Sequence, residues 1–113
     1  MSSDDFLSGG RLEVTLEGLT FFRSKSSAAA RGLDRVSQVE WAEIRRAGIS
    51  TPPLGKPILW VEIVGATAPA DTADGPHSYK VKRRRIEEAH ALVEAINAES
   101  DGRRRWSAPP KDL

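Results

Sequence analysis

Hydrophobic and polar residues alternate from Arg11 onward. Leu12, Val14 and Leu16 are separated by Glu13 and Thr15, the period-two pattern of a half-buried strand. Glu17-Gly18 interrupts it as a tight turn and Leu19 to Ser24 resumes it, so residues 11–24 read as a hairpin. Ser24 to Asp34 is small and polar, has no apolar face, and reads as a mobile loop. A third strand spans Arg35 to Glu40 around Val36 and Val39. Trp41 to Ile44 is a helical turn or kink, after which Arg45 to Thr51 continues as a fourth strand. The prolines of Thr51 to Pro57 cannot donate to a central ladder and mark a hairpin loop. Ile58 to Val64 is the most apolar run, and its shortness and β-branched content predict a buried strand. Glu62 must face water, which sets Leu59, Val61 and Ile63 inward and Ile58, Trp60 and Val64 on the outer face. Gly65 to Pro76 is a second loop, and His77 to Lys82 is a last strand with Tyr79 and Val81 on one face.

The period then changes. Ile86, Ala89, Leu92, Val93 and Ile96 recur at spacings of three and four, which predicts an amphipathic helix over residues 84–99. Glu87 and Glu88 fall in its first turn, favourable to the positive end of the helix dipole. The order predicts an α+β fold, mainly antiparallel β, in a single domain over residues 11–99. Six to seven short strands curl into a partly open barrel or packed sheets, because flat open edges invite aggregation. The C-terminal helix caps an open end. Residues 1–10, ending in Ser8-Gly-Gly10, are expected to be a flexible leader, and residues 100–113 a flexible basic tail.

This order of elements resembles the pleckstrin-homology-like superfold, a bent antiparallel barrel plugged by one C-terminal helix. Three stretches carry the likeness: Leu12 to Phe22, Val39 to Ile49, and His77 to Lys82 running into the helix Ile86 to Ile96. They resemble small bacterial domains of that kind, including those of high-GC Gram-positive bacteria. Phosphoinositide-binding members of the superfold carry a basic first hairpin loop, whereas here that turn is Glu17-Gly18, short and acidic. Members from eukaryotes tend to place a Trp in the terminal helix, and residues 84–99 have none. The resemblance therefore implies the fold without implying lipid recognition.

Composition narrows the function classes. The 113 residues hold 17 Lys+Arg against 16 Asp+Glu, so the chain is not globally basic as a nucleic-acid binder would be. The absence of cysteine excludes disulfides, thiolate-ligated zinc and thiol chemistry, and suits a reducing compartment. No apolar run approaches the roughly 18 to 20 residues of a membrane span, and Met1 to Phe6 lacks the order of a signal peptide. The expected location is cytoplasmic.

Three groups of residues are candidates for binding. Lys80, Lys82, Arg83, Arg84 and Arg85 put five cations in six positions, either a phosphate-binding patch or a solvated strand-to-helix junction partly paired with Glu87 and Glu88. Arg23, Lys25, Arg31 and Arg35 surround the Ser/Ala segment. If it closes over the barrel mouth they can converge on an anion; otherwise they keep a loop soluble. Ile58 and Trp60 on an outer sheet face form an interaction surface, unless a helix, tail or loop covers them. Trp41 reads as core or rim packing. Arg103-Arg-Arg-Trp106 combines charge with an amphipathic ring, as an interfacial membrane tether or as unstructured tail.

Glu87, His90 and Glu94 share a helix side at metal-ligand spacing, yet no other element supplies further ligands, and a solvated face is the reading. Neither histidine has a nucleophile beside it, and no glycine-rich phosphate cradle is present. The sequence thus predicts a non-enzymatic adaptor with no cofactor and no metal. It would recognise a protein partner, or its own copy as a homo-oligomer, through a barrel edge or the face near Trp60. The alternative is an anionic-lipid or nucleic-acid adaptor using Lys80 to Arg85 and the tail.

Overall fold

The computed structural model describes residues 6–65 and 77–107, with side chains as far as Arg103. Among the described residues, seven antiparallel strands lie in two sheets. Strands β2 (Gly10–Val14), β3 (Gly18–Arg23) and β4 (Val36–Glu40) form one, in that order. The other is β1 (Leu7–Ser8), β7 (Ser78–Val81), β6 (Ile58–Ile63) and β5 (Ile44–Ser50), in that order. The register Leu12↔Phe21 and Leu19↔Val39 puts the period-two apolar set on the inner face, as the alternation requires. A one-turn 3-10 helix, Trp41–Glu43, carries the chain from the first sheet into the second. The Glu40 N–H donates to Glu43 Oε2 at 3.3 Å there, tying off the corner.

Helix α2 (Ile86–Ser107) follows a 3-10 turn at Arg83–Arg85 and packs along β5. Its predicted stripe is the buried one: Ala89, Leu92, Val93 and Ile96 join Leu12, Leu19, Phe21, Leu59, Val61 and Val81 in a single core. The result is the expected mainly antiparallel α+β fold, an open barrel with a C-terminal helix and no full closure. Among the described residues, no helix is long and apolar enough to cross a membrane.

Four expectations need correction. The segment expected as a mobile loop contains a helix, α1 (Lys25–Arg31). Ser24 Oγ accepts the Ser27 N–H, alanines supply propensity, and Gly32 ends the helix in the left-handed region at φ 63°. Only Ala28 is buried, so no apolar stripe announced it. The leader is not free from residue 6 onward: Phe6 and Leu7 are buried, Leu7 pairs with Val81, and the Lys82 N–H donates to Phe6 O. Nothing local marks that strand, because its partner is at the other end of the chain.

The expected tail begins as helix. Ser100 is buried and donates to Ile44 O at 3.2 Å, while Arg103 pairs with Glu99 and lies 5.5 Å from the Trp41 ring centroid. Those contacts extend α2 past the last apolar position. Finally, Ile58 is only 8% exposed and is a packing residue rather than part of an open face. The loop expected over Gly65 to Pro76 lies outside the described residues from 66 on, as do residues 1–5, 108–113 and the side chains of Arg104 to Trp106.

Candidate functional site

The two sheets leave strand edges to be satisfied, and the chain treats them differently. On β5 the outward groups of Ala47 are taken by α2. Asn97 Oδ1 accepts the Ala47 N–H at 2.8 Å and Asn97 Nδ2 donates to Ala47 O at 3.0 Å. With Ser100 on Ile44 O, the helix occupies this edge from Ile44 to Ala47.

On β4 the situation is reversed. Arg23 N–H donates to Arg35 O, and Trp41 N–H donates to Glu17 O, so odd-numbered backbone groups turn toward β3. By antiparallel alternation Val36, Gln38 and Glu40 turn theirs outward. Glu40 N–H is taken by Glu43, whereas among the described residues no hydrogen bond reaches the outward groups of Val36 and Gln38. Val36 is 55% exposed. Its neighbour across the ladder is Phe22, half-buried, with the Arg11 guanidinium 4.1 Å from the ring centroid. An open strand edge therefore borders an apolar strip on the outer face. Sequence reasoning did not single out Val36 or Phe22. The signal was there, since Val36 and Val39 are three apart and cannot both face inward on one strand.

Trp60 is half-buried on the outer face of the second sheet. Its indole N–H donates to Ser50 Oγ at 3.0 Å, and the ring lies over Gly48 so closely that any Cβ there would overlap it. Arg46 reaches over the ring, 5.5 Å from its centroid, and pairs with Glu62 at 2.8 Å. That hydrogen bond holds the Glu62 carboxyl below the usual carboxylate range. Ile58 and Ser78, on the same face, are buried, so Trp60 borders a covered region.

The arginines of the barrel mouth converge only in part. Arg23, 4% exposed, points inward, and its Nη1 donates to Asp34 O at 2.9 Å and Ser37 Oγ at 2.8 Å. Burial, with the Arg23 and Arg31 charges adding to it, depresses the His77 pKa. Lys25 and Arg35 are exposed. Tyr79 lies deeper, its hydroxyl shared between Arg11 O and Phe22 O at 3.1 and 2.9 Å, and burial pushes its pKa up to about 12. These contacts join α1, β3 and β7 at one end of the barrel.

The basic run is split by the 3-10 turn. Lys80, Lys82, Arg83 and Arg84 are exposed, Arg83 Nη2 donates to Gly55 O, and Arg85 turns back onto Glu88. Among the described residues no group of three or more His, Asp or Glu side chains could hold a metal ion. Compared with known proteins, the chain matches no family model, no curated protein and no solved structure, so its function is argued from this geometry alone.

Proposed function

We propose that the chain is a non-enzymatic binding module that takes an extended segment of a protein partner as an added strand along β4. The observation that carries the reading is the unequal treatment of the β5 and β4 edges. A helix takes the outward groups of Ala47 and the Ile44 carbonyl on β5, while β4 leaves those of Val36 and Gln38 open beside Phe22. Main-chain hydrogen bonds from Val36 and Gln38 would give affinity, and the apolar strip would choose the incoming side chains.

Two of the registers in which β4 could pair with its own copy meet an obstacle. A two-fold axis normal to the sheet preserves its faces only in registers that pair residues of like parity. Centring on Ser37 sets Asp34 opposite Glu40, two like charges. Centring on Gln38 requires the Glu40 N–H, which already serves Glu43.

Gln38→Pro tests the reading, because it removes one outward N–H and spares the bonds to β3. The wild-type chain should retain a stoichiometric protein from nuclease-treated lysate at moderate salt, and Gln38→Pro should lose it with its thermal midpoint little changed. Undiminished retention by a folded Gln38→Pro chain would remove β4 from the interface.

A further inference from the structure

Leu54 is 91% exposed at the tip of the loop between β5 and β6. Prolines 52 and 53 stiffen the loop on one side of it, and the Arg83 guanidinium fixes Gly55 O on the other. The leucine is thus displayed by a braced loop. The same loop brings a cation: Val81 N–H donates to Pro57 O and Ile58 faces Lys80, which sets Lys56 alongside Lys82. Lys56, Lys80, Lys82, Arg83 and Arg84 are all exposed around one end of the molecule, and none of them forms an ion pair among the described residues. Arg85, which does pair, turns away toward Glu88.

We infer that this end docks on an anionic lipid bilayer, with Leu54 entering the boundary between headgroups and acyl chains and the five cations resting on the phosphate and serine headgroups. The apolar tip decides between polyanions. A leucine gains nothing from a phosphate backbone, and single-stranded nucleic acid is held by aromatic stacking, whereas Trp60, on the face of Lys80, is half-buried with Arg46 over its ring. A bilayer rewards both parts: each cation near an anionic surface is worth about a five-fold gain in binding, and a buried leucine about ten-fold or more. Neither part depends on the β4 edge, which belongs to the other sheet.

The test is flotation of the full chain with vesicles of equal parts phosphatidylcholine and phosphatidylserine, against phosphatidylcholine alone. The chain should float with the mixed vesicles, be released by salt, and ignore the neutral ones. Leu54→Ser should weaken binding about ten-fold without altering circular dichroism, since the side chain is almost wholly exposed among the described residues. The triple change Lys80→Gln, Lys82→Gln, Arg84→Gln should weaken it about a hundred-fold. Equal flotation on neutral vesicles, indifference to Leu54→Ser or to the triple change, or binding to an oligonucleotide but not to the mixed vesicles would each overturn the inference.

Discussion

Asn97 stands to Ala47 as a neighbouring strand would, accepting its N–H at 2.8 Å and donating to its carbonyl at 3.0 Å. One side chain replaces a rung of ladder and holds α2 in place. Asn97→Ala leaves two half-buried backbone groups to find water, and should cost about 1–3 kcal/mol in urea denaturation. Asn97→Asp keeps the acceptor, loses the donor and should fall between.

Tyr79 is the chain's one tyrosine, so tyrosinate absorbance reports a single site. Its pKa is raised to about 12, above the usual value near 10. The neutral phenol is the form favoured by the fold, so its contribution is complete below about pH 10 and lost as pH rises toward 12. An alkaline titration should show no tyrosinate near pH 10 while the chain stays folded, and Tyr79→Phe should flatten the loss of stability in that range.

At His77 the sign is opposite. Burial first, then Arg23 and Arg31, disfavour the imidazolium, so the folded chain takes up its proton at lower pH than the unfolded one. Stability is complete above about pH 6.5 and declines as pH falls through that value. His77→Phe keeps a ring edge-on to Phe21, now 4.9 Å between centroids, and should flatten the acid limb of a stability–pH profile.

Gly48 is the floor under Trp60. Gly48→Ala should cost about 1–3 kcal/mol by overpacking and should shift tryptophan emission as the indole leaves Ser50. In a Trp60→Ala background the same change should cost almost nothing, a coupling that a double-mutant cycle would measure.

Much of this fold can be read from residue order, because most strands are specified by their own alternation. Leu12, Leu19 and Phe21, then Leu59 and Val61, then Tyr79 and Val81, declare an inner face without knowledge of their partners. What escapes is whatever depends on a distant contact or on caps alone. Phe6-Leu7 becomes a strand only because β7 is there to receive it. The α1 helix rests on Ser24 and Gly32 rather than on a buried stripe. The basic run was visible, but Leu54 and Lys56 join it only through Arg83 and the pairing of β6 with β7. The open edge of β4 follows from strand order, which period-two patterns do not encode.

The pairing of Leu7 with Val81 also bears on how the molecule is made. Strand β1 leaves the ribosome well before β7 and has no seat until β7 has followed it out, and β7 in turn pairs with β6. Until then Phe6 and Leu7 remain an exposed apolar segment. The hairpin of β2 and β3 can assemble early from local contacts, whereas the second sheet must await synthesis of β7. Slowing synthesis should therefore lengthen the interval in which a chaperone competes for this segment.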